Sequence, residues 1–222
     1  MNRRPMILTS LAVLAVMLVA SAWAWLSLPA DAQVPIHWGP DGQADDWADK
    51  TVGLLLLPVT ALIVAVILAI IPRIEPRRTN LERSVKAYRA VWIGVMVLLG
   101  GLHLVAVAAA MGADFDMTRL VLGGMGLLFV VIGNYLPKVR SNFMMGVRTP
   151  WTLTSERSWQ STHRLAGRLF VIEGAVLLVA ALVGVSGDML VALVVAGVIA
   201  MVVIAFGYSY IVWRDDPERR AL

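Results

Sequence analysis

Six apolar runs, each close to the length that crosses a bilayer, decide what this 222-residue chain can become. They lie at about 6–28, 52–71, 88–111, 118–136, 169–185 and 189–211, and each is bounded by charge, proline or tryptophan. A helix needs roughly 20 apolar residues to span about 30 Å of hydrocarbon. No 3.6-residue amphipathic stripe organises the runs, as expected for helices wetted by lipid around most of their circumference. Only 15% of the residues are charged, well short of the quarter or so found in soluble domains, which excludes a water-soluble enzyme. The expected fold is therefore all-α, a polytopic membrane protein with six transmembrane helices. Cysteine is absent, which removes disulfides, thiolate metal sites and thiol nucleophiles.

The net charge of +4 looks like a nucleic-acid signal until the charges are mapped. All but Lys50 and Arg119 of the 19 Lys and Arg residues precede the first run, separate the second from the third, separate the fourth from the fifth, or follow the sixth. The opposite loops carry Asp31, Asp41, Asp45, Asp46, Asp49, Asp114, Asp116 and Asp188. The positive-inside rule then predicts that both termini are cytoplasmic. A basic cytoplasmic face accounts for the charge, and no direct nucleic-acid partner is expected. Trp23 and Trp25 at the outer end, and Trp92 and Trp213 at the inner end, are expected in interfacial belts. The first run with Ala30-Asp31-Ala32 imitates a cleavable signal, but it is too long for one, and an even number of crossings requires it as a true first helix.

The chain divides into an N-terminal two-helix domain (1–72) with an acidic outer loop (29–50), a basic cytoplasmic linker (73–87) and a C-terminal four-helix domain (88–222) with a long inner loop (137–167). Loops this long in a compact protein are commonly functional. Pro137 ends the fourth helix, and Asn142, Gly146 and Pro150 are turn formers. The spacing predicts irregular chain over 138–151 on the membrane surface, anchored by Phe143, Met144, Met145, Val147 and Trp151. Thr154 is the expected N-cap of the next helix, with Glu156 in its first turn.

The inner loop reads N-F-x-x-G-x-R-T-P-W-T-L from Asn142 to Leu153, then S-x-x-x-W-x-x-T-H-R-L-A-G from Ser155 to Gly167. This string resembles the signature of the SdpI-type immunity-protein family. The outer loop, with Leu28-Pro29, Pro35-Ile36-His37-Trp38, Gly42, Trp47 and Lys50, is similar to the domain of unknown function that often precedes it. Arg157 departs from the pattern, standing where the family tends to carry an acid. The resemblance implies a multi-pass protein of the bacterial cytoplasmic (inner) membrane without enzymatic activity or cofactor. It implies partners on each face: a secreted, membrane-active peptide toxin outside and a cytosolic repressor inside, linking immunity to signal transduction.

Candidate site residues fall into three groups. In the inner loop Asn142, Arg148, Thr149, Trp151 and His163 form the candidate ligand or partner site. Arg148 suits a bidentate grip on phosphate or carboxylate, or a structural tie to Asn142, Glu156 or helix-end carbonyls. His163 stands alone, without the further ligands that zinc requires, and reads better as a hydrogen-bonding scaffold. In the outer loop His37, Trp38 and Asp46 are candidates for meeting a cationic peptide, although an acidic solvated loop is what the charge map predicts anyway. Within the spans His103, Asn134 and Glu173 are polar groups whose burial in hydrocarbon needs pairing or function. No catalytic set and no metal site is expected. Two alternatives remain: an ion- or proton-coupled transporter using Glu173 and His103, and a membrane enzyme acting on a phosphate-bearing lipid.

Overall fold

The computed structural model describes residues 2–219. Arg220, counted above among the basic residues, lies outside them. Six helices are long and apolar enough to cross a membrane: α1 (Arg4–Ser27), α2 (Lys50–Ile74), α4 (Val85–Ala110), α5 (Met117–Tyr135), α7 (Glu156–Leu182) and α8 (Gly187–Arg214). Two short helices, α3 (Arg78–Arg83) and α6 (Pro150–Thr154), lie at one end of the bundle. Helix α2 runs unbroken through Pro58 and Pro72. Most side chains on the long helices face outward, as a lipid-solvated bundle requires; Leu8, Val19, Ile63, Val179 and Val203 are all exposed.

Packing follows a different partition from the sequence division. Helix α4 joins α1 and α2 around Met6, Met17, Ala61, Tyr88, Trp92 and Met96. Polar ties reinforce this group: Trp92 donates to Ser10 Oγ at 2.8 Å, and Tyr88 donates to the Leu68 carbonyl. Trp92 is 1% exposed, so it belongs to the core and not to an interfacial belt; its indole N–H needed a partner and found one inside. Trp23 and Trp25 do face outward.

Helices α5, α7 and α8 form the second group, with α4 against α5 as the seam. Antiparallel α5 and α7 touch backbone to backbone through glycines seven residues apart on each helix, Gly133 opposite Gly167 and Gly126 opposite Gly174. A Cβ on Gly133 would stand 2.6 Å from the Gly167 carbonyl oxygen, and one on Gly167 would stand 2.7 Å from that of Gly133. Small residues at matching heights let helices approach where no hydrophobic force drives them together.

The outer loop adds a structure the sequence did not show. It forms an antiparallel hairpin, β1 (Gln33–Trp38) with β2 (Ala44–Asp49), turned at Gly42, whose φ of 80° suits glycine. Asp49 leaves the hairpin as the N-cap of α2, accepting from Thr51 and Val52 N–H. Lys50 turns back to cap the end of α1, donating to the Leu28 carbonyl at 2.9 Å and lying over the Trp25 ring. Arg119 pairs with Asp116 at 3.3 Å. Both cations on this side are thus consumed locally at helix ends, while the basic residues of the linker, the 137–167 loop and the C-terminal tail gather at the other. The bundle has a basic end and an acidic end.

Candidate functional site

The 137–167 segment folds against the basic end of the bundle as a wedge. Leu136-Pro137-Lys138 make one 3-10 turn. Irregular chain follows to Thr149, where α6 begins. Trp151 is therefore helical and not part of the irregular stretch. Thr149 caps α6 in a reciprocal box with Thr152, each side chain binding the other's backbone N–H. The N-cap of α7 is Ser155, which accepts from Ser158 N–H, and not Thr154, which closes α6. The extended backbone that an N-cap needs is at Ser155 (ψ 119°), because α6 is still helical one residue earlier.

The apolar side chains of the irregular stretch mostly turn inward. Met145 and Val147 pack with Ala87, Leu136, Val139 and Trp159, and Trp151 lies edge-on to Phe206 at 4.7 Å. Phe143, 39% exposed, is the one that faces out. A wedge at this depth must satisfy its own backbone, and burying those side chains is what draws it under the bundle.

The motif's polar residues supply that satisfaction. Asn142 is fully buried; its carbonyl oxygen accepts from Met144 and Met145 N–H at 2.9 and 2.7 Å. Its amide donates to the Arg140 and Met145 carbonyls. His163, also fully buried, donates from Nδ1 to the Trp159 carbonyl at 2.7 Å and accepts at Nε2 from Val147 N–H at 3.1 Å. Its ring stacks on Trp159, centroids 4.0 Å apart. Both nitrogens are occupied, so the imidazole is neutral with the proton on Nδ1 and has no lone pair left for a metal. Gly146 lies so close to His163 Nε2 that a Cβ would collide with it.

Arg148 behaves differently. It is exposed, and among the described residues it is held by one bond, from Nη1 to the Phe143 carbonyl at 2.6 Å. That carbonyl is neither of the side-chain partners considered from sequence, and it fixes the arginine while leaving most of its donors outward. The structure thus places Asn142, Thr149 and His163 in one buried frame, sets Trp151 half-buried against Phe206 and Tyr210 of α8, and leaves Arg148 on the outside.

Several residues of this site were missed from sequence because they sit in the supposed linker and tail. Glu75, 4% exposed, accepts from Phe143 N–H with both carboxylate oxygens at 3.1–3.2 Å. Arg77 donates to Ser141 Oγ and to the Leu153 carbonyl, and its guanidinium lies 4.7 Å over the Phe143 ring. Asn80 donates to the Ser141 carbonyl; Ser84 accepts from Arg140 N–H. From the other side, Ser158 donates to the Ser209 carbonyl and Ser155 donates to Asp216 at 2.5 Å. That hydroxyl holds the Asp216 carboxyl below its usual range. Between linker, wedge and tail a polar cavity of about 340 Å³ opens, lined by Arg77, Asn80, Ser141, Arg157, Asp216 and Glu218. The available signal was that Glu75 and Asp216 are acids standing among the basic residues.

At the acidic end the hairpin reaches across to the second helix group. Thr118 on α5 donates to the Gly39 carbonyl at 2.6 Å, and Gly187 on α8 sits so close to the Pro40 carbonyl that any side chain would collide. Trp38 is half-buried there and lines a small cavity with Met117, Thr118 and Val121. His37 pairs with Asp45 at 2.5 Å, and both are exposed, as is Asp46.

The three polar groups within the spans are not brought together. His103 donates from Nε2 to Ser21 Oγ and the Met17 carbonyl, and Ser21 passes the link to the Leu54 carbonyl on α2. Asn134 is exposed and bonds back to Val130 of its own helix. Glu173 lies against Gly197 of α8, and among the described residues its Oε1 is buried without a hydrogen-bond partner. Among them, too, no group of three or more His, Asp or Glu could hold a metal ion.

Comparison with known proteins matches both halves of this arrangement. The SdpI/YfhL protein family matches residues 138–209, which hold the wedge, α7 and most of α8. A domain of unknown function, DUF1648, matches residues 12–71, which hold the hairpin and its two helices. Over the first of these stretches the chain is similar to the SdpI type. It is 23% identical over 181 residues to "Immunity protein SdpI" of Bacillus subtilis (strain 168), covering 80% of this chain and 82% of that protein. No solved structure gives a significant match. With six helices long and apolar enough to cross a membrane, the chain is a multi-pass cell membrane protein, and the start of the matched stretch builds the wedge at its basic end.

Proposed function

We propose that this SdpI-type protein protects its cell against a secreted, membrane-active peptide by binding rather than by chemistry, and that it recruits a cytosolic regulator through its basic end. The single observation that carries the reading is the division of labour in the motif. Asn142 and His163 spend their hydrogen-bonding capacity on the wedge itself, Thr149 spends its own on the wedge and on Ser209 of α8, and Arg148 is left facing outward beside Phe143. A guanidinium with most of its donors outward suits recognition of an acidic partner surface. Buried side chains with every donor and acceptor engaged have nothing to offer a reaction.

The basic end is assigned to the cytoplasm by the positive-inside rule, and the hairpin to the outside. There His37 and Asp46 belong to an exposed acidic tip, beside the half-buried Trp38, that would attract a cationic peptide. The lack of native cysteine makes the orientation directly testable: a membrane-impermeant maleimide should label Asp46→Cys in intact cells and Arg164→Cys only after lysis.

Function is tested by expressing the protein in a peptide-sensitive host. Arg148→Ala should insert normally and lose regulator recruitment, while Asp46→Asn with His37→Ala should lose protection. Full protection and recruitment by well-inserted variants would remove this assignment.

A further inference from the structure

A second feature of the molecule lies outside both the wedge and the hairpin. Along the seam between α4 and α5 runs a groove of about 830 Å³ whose walls are almost entirely aliphatic. Lys86, Arg89 and Tyr135 line its basic end, and Lys138 places its ammonium 4.9 Å over the Tyr135 ring. Lys86 and Arg89 are exposed. Among the described residues neither has a hydrogen-bonding or ionic partner, in contrast to Arg77, Arg119 and Arg214, which are all engaged.

The floor of the groove is made by missing side chains. Gly94 and Gly124 are closed over by leucines of the facing helix, with Leu128 and Leu98 each 2.8 Å from where a Cβ would be. Gly101 has nothing within 4 Å of that point. From Arg89 to Gly101 the helix rises about 18 Å, slightly more than the roughly 15 Å that one leaflet contributes to the hydrocarbon core. The cations therefore stand at headgroup depth and the open glycine near the acyl-chain ends.

We propose that the groove between α4 and α5 binds one acidic phospholipid, its phosphate held by Lys86 and Arg89 and its acyl chain lying along Gly101. Charge complementarity selects this occupant. A second copy of the chain, inserted in the same orientation, would bring like charges together at the same height. A zwitterionic lipid would return part of the attraction by placing its own ammonium beside the two cations. Basic pockets between membrane helices are recurrent sites for anionic headgroups, and arginine matches a phosphate bidentately.

The test is native mass spectrometry of the full chain, extracted mildly and exchanged with phosphatidylglycerol or phosphatidylcholine of identical acyl chains. The wild type should retain one phosphatidylglycerol with a preference of roughly thirtyfold, from about fivefold per cation. Lys86→Gln with Arg89→Gln should erase the preference. Gly101→Leu, whose Cβ would meet nothing within 4 Å and whose side chain would occupy the groove, should lose both lipids. Arg157→Gln with Arg164→Gln, which removes the same charge from the same end outside the groove, should keep the preference. Soluble glycerol phosphate should not displace the lipid, because the groove contributes most of the contact. Equal retention of the two lipids would overturn the proposal. So would a loss of preference in the Arg157/Arg164 control, displacement by glycerol phosphate, or a dimer that Gly101→Leu converts to monomer. Thermal unfolding of each variant in detergent separates loss of lipid from loss of fold.

Discussion

Gly146 and His163 occupy space that only a hydrogen can share: any Cβ at Gly146 would collide with the imidazole Nε2. The same Nε2 accepts the Val147 N–H, so the close approach and the hydrogen bond are one device. The glycine also has a φ of 110°, which ordinary side chains resist. Two motif residues far apart in the string thus define each other's identity, for a reason of shape.

Gly146→Ala should therefore cost more than a glycine substitution usually does. Strain and collision together predict a loss of about 2–4 kcal/mol, read as a lowered Tm in detergent. Gly112→Ala is the control, with a φ of 91° but nothing within 4 Å; it should lose only about 1 kcal/mol. Equal effects would show that the imidazole is free to move aside.

Gly133→Ala should force α5 and α7 apart, because the new methyl meets the Gly167 carbonyl oxygen and backbone at Val171. Overpacking of this kind costs about 1–3 kcal/mol. Gly207→Ala, with nothing within 4 Å, should leave the Tm unchanged or raise it.

The tail should detach in acid. The Ser155 hydroxyl depresses the Asp216 carboxyl, so the link contributes fully above the ordinary carboxylate value near 3.9. It disappears as pH falls through the lower folded value. A nitroxide on Arg219→Cys should become mobile across that interval, and Ser155→Ala should move the change to higher pH. A midpoint unaffected by Ser155→Ala would break the assignment.

Thr118→Val should loosen the hairpin without unfolding the bundle. It removes the 2.6 Å bond to Gly39 and leaves a carbonyl short of a donor, at about 1 kcal/mol. Proteolysis of intact protein near Gly39–Gln43 should accelerate several-fold while the Tm barely moves.

The six spans were legible because hydrocarbon imposes a length and a composition that soluble folds do not. The wedge was legible as a place, through its density of turn formers and its motif, and its frame residues were named before their bonds were visible. Three things were hidden, each for a physical reason. The hairpin lacks the alternation of a strand: Pro35 has no N–H to offer, and the register shifts on either side of His37. The cap of α7 was misplaced by one residue because Thr154 and Ser155 are both good caps, and only the extent of α6 decides between them. Glu75, Arg77 and Asn80 were absorbed into a charge run whose topological meaning masked its architectural one. A carboxylate that satisfies a backbone amide 68 residues away leaves no periodic trace.

The paired glycines of α5 and α7 leave no cushion of side chains between the two backbones. At those two heights a shift of one helix reaches the other through main-chain atoms, while Phe129 and Phe170 fill the space between them.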